Sequence, residues 1–504
     1  MTACPAGGKR AVCTRAVLPG PRPRRSTIPC MTQIHELTVI GLATAIRDGE
    51  LSPTEVTRHY LHRIGELNER VGAFFTVTAE LAEEQARAAD KAVARAGDRA
   101  ELPPLLGVPI PIKDLNMVAG VRQTLGSAAY ASNVAAADDY VTAAIRAAGA
   151  VITGKTATPE FGLPCYTETA VGPPARTPWD LSRSAGGSSG GAGAAVAAGL
   201  APAAQGSDGG GSIRIPASVC GLVGIKPSRG RVSNGPIVPD LFGLGVNGPL
   251  ARTVADAALL LDVMAGNKPG DMYTQPPLPP GETFLGCARR DPGRLRIGRT
   301  MATAVDGAEV HPDCVAAYES ASALLSELGH DVEDVTAPFG PDVVPYFETL
   351  WYANATLAPV DPADEGKLLP FTRYLRGRGQ ETSAGEIIMA QAYLQAVTRS
   401  ALAAMNAYDA ILTPTLASLP APVGYFEEAD PAENFERQKR FTPFTSVYNV
   451  SGQPAVSLPL YWNAGGLPVG VMLAGRIGEE GTLISLSAQL EQARPWSGRH
   501  PALW

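Results

Sequence analysis

One large α/β domain is predicted for this chain of 504 residues, on two observations. Segments with apolar residues at helical spacing alternate with short apolar runs of strand type from Thr38 to Gln492, the order expected of a sheet covered by helices. In addition, 45% of the residues are apolar and 18% charged, the balance of a soluble globular chain with a sizeable core. Length alone would allow several average domains, but large α/β units can occupy roughly 400 residues or more as one piece.

The elements follow in chain order. Val39, Leu42, Ala43 and Ile46 stand at i, i+3, i+4 and i+7 and form one apolar helical face. Ser52 caps a second helix, with Pro53 at its first position and Glu55 placed to complete a capping box. Residues 76–97 read as a third helix, rich in Ala and Glu. Leu105–Ile112 is short, apolar and limited by prolines, which suits a buried strand delivering Lys113 at its end. Tyr140–Ala148 reads as a helix stopped by Gly149, and Ala150–Thr153 as the strand after it. Residues 184–226 are dense in Gly and Ser yet carry long Ala/Val runs that a solvated linker would lack, so they are predicted to form a buried centre. Beyond it, 254–265 and 308–328 read as amphipathic helices, Leu295–Ile297 and Asp331–Val335 as strands, and Pro/Gly-rich 268–294 as a surface connection. Residues 340–405 are mainly helical and carry Phe347, Trp351, Tyr352 and Phe371, which either line a pocket or simply pack helices together. Strands at Ala410–Thr413, Ala455–Leu460 and Pro468–Leu473 and a helix at Glu479–Gln492 complete the pattern.

Charge and composition narrow the chemistry. A net charge of −7 argues against a broad nucleic-acid or anionic-lipid surface. The longest small-apolar run, Ala192–Ala204, is too short to span a membrane and is interrupted by Pro202 and two glycines. Seven cysteines without any Cys-x-x-Cys spacing fit a reduced, cytoplasmic setting and offer no zinc site. The first 30 residues carry six basic residues, five prolines and no acid, and lack the apolar stretch of a secretory peptide. They read as a disordered basic leader or an over-extended start, with Met31 as an alternative beginning.

Four motifs compete for the chemistry. Gly149-Ala-Val-Ile-Thr-Gly-Lys155-Thr formally matches a phosphate loop, which must follow a strand and open a helix. Here a helix precedes it, its middle reads as a strand, and Pro159 follows too soon for a helix. Gly-x-Ser-x-Gly occurs twice in 186–191, but the polar residues Asp180–Ser184 before it are unlike the strand of a nucleophile elbow. Of six histidines only His311, His330 and His500 lie downstream, in positions that suit no Ser-His-Asp arrangement. The third reading joins Lys113, Ser188 and Ser212. A hydroxyl attacking an amide needs a base and an oxyanion site, and Gly209, Gly210 and Gly211 before Ser212 can turn several N–H donors to one point. A lysine base must be neutral, so its pKa must fall from ~10.4 through burial, with Asp114 on the opposite face of the strand. Ser188 would then relay the proton between Lys113 and Ser212. Fourth, Asp208 and Arg214 bracket the nucleophile as a pair that could hold the loop's shape.

At these residues the sequence resembles the amidase signature family. Gly186-Gly-Ser-Ser-Gly-Gly-Ala-Gly and Gly206-Ser-Asp-Gly-Gly-Gly-Ser-Ile-Arg-Ile-Pro-Ala match its signature, as do the spacings of 75 residues from Lys113 to Ser188 and 24 from Ser188 to Ser212. The similarity runs from about residue 38 to 497 and takes in Lys155-Thr-Ala-Thr-Pro-Glu-Phe-Gly, Leu412-Thr-Pro-Thr and Tyr448-Asn-Val-Ser-Gly-Gln-Pro-Ala. The resemblance implies a mixed sheet wrapped in helices, with a catalytic core at about 71–265 and 406–497 and a helical pocket region at about 300–405. It implies a Ser-cisSer-Lys triad, with Ser212 as nucleophile, Ser188 on a cis peptide as bridge, and Lys113 as base. The oxyanion hole falls to Gly209, Gly210 and Gly211, and Ser189, Asp208 and Arg214 support the site. No cofactor or metal belongs to this machinery. Gly209 stands where relatives usually carry Thr, Ile or Ala, which implies a looser oxyanion loop. The stretch Phe441–Pro454 resembles stand-alone amidases, including nylon-oligomer cyclic-amide hydrolases, more than the glutamine-dependent tRNA amidotransferase subunit that is the alternative. The expectation is a cytoplasmic amide hydrolase acting on a small-molecule amide, with ester or carbamate side activity, no nucleic-acid or membrane partner, and a homodimer left open.

Overall fold

The computed structural model describes residues 33–236 and 241–504; the leader predicted at 1–30 lies outside them. Residues 34–504 form one compact unit. Its first helices begin where their capping residues stand. Thr38 Oγ1 accepts from the Gly41 amide and starts α1 (Val39–Asp48); Ser52 Oγ accepts from the Glu55 amide and starts α2 (Pro53–Val71), giving one half of the capping box.

Three short strands, β1 (Phe74–Val77), β2 (Ile112–Lys113) and β3 (Gly154–Thr156), make a small sheet in the order β1-β3-β2. Eight more make the main sheet: β4 (Ala203–Asp208), β5 (Val223–Lys226), β6 (Val246–Ala251), β7 (Arg296–Arg299), β8 (Asp331–Asp334), β9 (Ala410–Pro414), β10 (Ala455–Trp462) and β11 (Pro468–Gly475). Their order is β4-β6-β5-β10-β11-β9-β7-β8. β7 runs parallel to β8 and β9 and the other pairs are antiparallel, so the sheet is mixed.

The remaining helices are α3 (Ala79–Arg95), α4 (Tyr140–Ala147), α5 (Gly190–Ala197), α6 (Arg214–Cys220), α7 (Val254–Met264), α8 (Phe284–Cys287), α9 (Pro312–Glu327), α10 (Val343–Ala355), α11 (Pro370–Glu381), α12 (Ala384–Met405), α13 (Pro431–Phe441), α14 (Val447–Ser451) and α15 (Glu480–Ala493). Alternation along β11 decides which helices meet which face. Val469, Val471 and Leu473 join a large cluster with residues of α1, α7, α9 and α15, whereas Met472 and Ala474 face the opposite way with Phe444 and Tyr448. A second cluster, built from α5 and α6, lies beneath the glycine-rich motifs, and a third is built from α10, α11 and α12.

Three local expectations shift. Of the expected 105–112 strand only its end enters a ladder, where Ile112 and Lys113 form β2; upstream, Pro109 makes an isolated parallel bridge to Val151 through the Val108 carbonyl and the Ile110 amide at 2.9 Å each, and the register shifts before Ile112 pairs with Lys155. The strand expected at 150–153 begins instead at Gly154. The start of the 76–97 helix belongs to β1, where Phe74 and Phe75 favour a pleated surface, and the helix opens at Ala79.

Candidate active site

Lys113 ends β2 with its side chain fully buried. Its backbone N–H donates to Gln205 Oε1 at 2.9 Å, which fixes the strand end against β4. Its Nζ donates to Ser188 Oγ at 2.8 Å and to Ser207 Oγ at 3.0 Å. Burial lowers the Lys113 pKa to about 7, and the Asp208 charge offsets only part of that. Asp114, next in sequence, points away. It pairs with Lys155 Nζ at 3.0 Å and accepts from the Thr124 amide at 2.9 Å, so its charge is spent elsewhere. Lys155 of the formal phosphate-loop match thereby neutralises a buried carboxylate and holds no phosphate loop together.

Ser188 follows a cis Gly187–Ser188 peptide bond, the geometry the resemblance implied. Ser189 ties the two signature segments together: its amide donates to the Ser212 carbonyl at 3.2 Å, and its Oγ donates to the Ser207 carbonyl at 3.1 Å. Ser212 sits in the turn between β4 and α6. That turn is built around Asp208, whose two oxygens take Arg214 Nη2 and Nε at 2.9 Å each, the Gly211 amide at 2.8 Å and the Ile213 amide at 3.1 Å. Burial alone would raise the Asp208 pKa, but the Arg214 guanidinium, Lys226 and Asn449 outweigh it and hold the carboxyl well below the usual range. Asn449 closes the frame, donating to Asp208 O and Oδ1 and to Leu244 O.

The amide of Gly211 is thereby engaged by Asp208, which modifies the expectation that all three glycines face an oxyanion. Gly211 serves the turn's shape: its φ is +137°, and a Cβ there would lie 2.5 Å from Thr445 Oγ1.

The amidase family model matches residues 55–484 of this chain. The chain belongs to the amidase signature family. A 6-aminohexanoate-cyclic-dimer hydrolase of Paenarthrobacter ureafaciens is 35% identical over 92% of this chain and 95% of that protein. The solved structure of 6-aminohexanoate cyclic dimer hydrolase complexed with substrate is similar with a TM-score of 0.86 at 32% identity, covering 93% of this chain and 99% of the other. A bacterial aryl acylamidase of the amidase signature enzymes is similar with a TM-score of 0.82 at 26% identity, over 92% and 99% of the two chains. The chain is therefore an amide hydrolase acting on carbon–nitrogen bonds other than peptide bonds.

In this amidase the serines open into space. A cleft of about 770 Å³, including its open mouth, is lined by Ser212 and Gly210 together with Phe347, Trp351 and Val447, while Ser188, Ser207 and Gly209 face a second cleft beside it. Of the four aromatics noted in 340–405, Phe347 and Trp351 line a cleft, whereas Tyr352 and Phe371 pack around Phe435. The downstream histidines are occupied elsewhere: His311 caps α9, His330 bonds to Gln489, and His500 stacks on Trp504. Among the described residues no helix is long and apolar enough to cross a membrane.

Gln205, Ser207, Thr445 and Asn449 were not expected at the site. Gln205 and Ser207 carried a readable signal, since polar residues at i and i+2 of a buried segment mark one face of a strand aimed at something polar. Asn449 and Thr445, more than 230 residues from Asp208 and Gly210, lie in the 441–454 stretch that carries the family resemblance, but nothing in their spacing pointed to the turn at Asp208.

Proposed function

We propose that this amidase hydrolyses small-molecule carboxamides through an acyl-enzyme on Ser212, with Ser188 and Lys113 as proton relay. The observation that carries this is the buried lysine at 2.8 Å from Ser188, held near neutrality and kept apart from its neighbouring aspartate. Ser212 Oγ attacks the carbonyl carbon as its proton passes to Ser188 and the Ser188 proton to Lys113. The amides of Gly209 and Gly210 receive the oxyanion. As the C–N bond breaks, the proton returns through Ser188 to the departing amine, and a water activated by the same relay releases the acid. Esters and carbamates pass through a similar oxyanion and are expected as side substrates.

The similarity to cyclic-dimer hydrolases supports an independent hydrolase over a component of a tRNA amidotransferase, and a cyclic dimer of 6-aminohexanoate is a sensible first compound to assay. The buried free thiols of Cys165, Cys220, Cys287 and Cys314 support a cytoplasmic setting. The test is a fluorophosphonate probe with peptide mapping on the purified chain. Labelling is expected on Ser212 and should vanish in Ser212→Ala; a label on Ser189 would revive the nucleophile-elbow reading and sink this one. Hydrolysis of an aryl amide by the chain alone separates it from a complex component.

A further inference from the structure

The peptide unit between Gly210 and Gly211 is held at both edges. Its carbonyl oxygen accepts from Thr445 Oγ1 at 2.6 Å, and its N–H, the Gly211 amide, donates to Asp208 Oδ1 at 2.8 Å. The C=O and N–H of one peptide lie in a plane and point opposite ways, so two bonds at opposite edges stop that plane from rocking. A run of three glycines needs such ties, because residues without Cβ turn about φ and ψ more freely than any others.

Thr445 is itself firmly placed. It is fully buried, and its backbone carbonyl accepts from Arg214 Nη1 at 2.8 Å and from the Tyr448 amide at 3.2 Å. A hydroxyl has one proton to give, and the Thr442 carbonyl, the other acceptor in reach, is 3.4 Å away, so the Gly210 carbonyl takes it. Thr445 thus ties the turn from the linker between α13 and α14, while Thr442, Pro443 and Ser446 of the same linker wall the cleft that holds Ser212.

The tie matters for chemistry because donors lower a barrier only when they are already aimed at the place where charge develops. The plane that carries the Gly210 amide shares the Cα of Gly210 with the tied plane, and motion of one in an anchored turn must be taken up by the other. We propose that Thr445 is a positioning residue for the oxyanion turn: by fixing the Gly210 carbonyl it keeps the preceding amides aimed at the oxyanion. It acts through the backbone and not on the substrate, and it rests on the acyl-enzyme reading above.

Two ketones of one skeleton test it by titration calorimetry. Phenethyl trifluoromethyl ketone takes Ser212 Oγ at its carbonyl carbon; the C=O π pair moves onto oxygen, the Ser212 proton passes to the Ser188–Lys113 relay, and an anionic tetrahedral adduct results. Phenethyl methyl ketone fills the same cleft without forming a stable oxyanion. Thr445→Val, which keeps the shape and removes the donor, should weaken the trifluoromethyl ketone by about tenfold or more and lower kcat on an aryl amide by a similar factor. KM and the affinity for the methyl ketone should stay within about twofold, since neither depends on the oxyanion. Thr445→Ser, which keeps the hydroxyl, should recover both losses to within about threefold; Thr445→Ala replaces the valine variant if that one fails to fold. Equal weakening of the two ketones, unchanged kcat in a folded Thr445→Val, or no recovery in Thr445→Ser would overturn the role of Thr445 alone. A native enzyme that binds the trifluoromethyl ketone no tighter than the methyl ketone, or adds it to a serine other than Ser212, would overturn the acyl-enzyme reading and this role with it.

Discussion

Lys113 shows how burial sets chemistry at a single residue. With its pKa near 7, the amine is charged and unable to accept a proton in acid and becomes competent as pH rises. The kcat/KM of a neutral amide should therefore climb through about pH 7 to a plateau, and a profile falling across that range would exclude lysine as the base. Lys113→Ala should lower acylation by ~10²–10⁴-fold, measured as a single-turnover rate. Lys226 obeys the same physics in a different role. It too is held at about 7, by burial first and then by Arg214, and its Nζ donates to the Pro227 carbonyl at 3.0 Å. Its folded pKa lies below the ~10.4 of an unfolded lysine, so between about pH 7 and 10 the folded state binds fewer protons and stability rises with pH. Below about pH 7 the penalty is present in full. Lys226→Met should then stabilise the protein most at pH 6, with the gain shrinking toward pH 9, as read from melting temperatures against the native chain.

At the scale of elements, the β4–α6 turn is the unit that matters, because one carboxylate organises it. Asp208 joins Arg214, two backbone amides and Asn449 with all partners buried, so each group is satisfied only while the others stay. Arg214→Leu should cost about 3–5 kcal/mol, since it leaves an uncompensated buried charge, and a urea midpoint measures it. A loss under ~1 kcal/mol would mean that the turn is held by its backbone instead. Part of this unit was legible: the short Asp208-to-Arg214 spacing and the three glycines announced a tight, paired turn. The use of the Gly211 amide by Asp208 was not, because glycines in a row do not say which N–H faces inward. The same limit applies to Lys155, where a formal motif fixes residue types but not the direction of the side chain.

Across the whole molecule, the mixed sheet separates stability from chemistry. One face is packed by α1, α7, α9 and α15 and supplies stability; the other carries the signature turn, with Met472 Sδ accepting from Arg214 Nη1 at 3.4 Å. Leu473, on β11 and fully buried on the first face, belongs to the stability side. Leu473→Ala should cost about 2–5 kcal/mol in chemical denaturation while kcat/KM of the folded enzyme stays unchanged; a loss of activity without a loss of stability would show that the faces are coupled.

What the sequence determined by itself was local: caps, helical faces, the alternating order of a large α/β domain, and the residue types of the signature. Those depend on neighbours a few positions away, where spacing and chemistry are sufficient. Tertiary structure decided the rest. β4 and β6 contain glycine, serine or proline within wholly or largely buried runs, so neither shows the alternation that marks a half-exposed strand. Asn449 reaches Asp208 across 241 positions, and Trp351 reaches Gly209 from a helix whose pattern is that of ordinary packing. Burial, and through it the basicity of Lys113, is a property of what surrounds a residue in space, and only the folded chain supplies those surroundings.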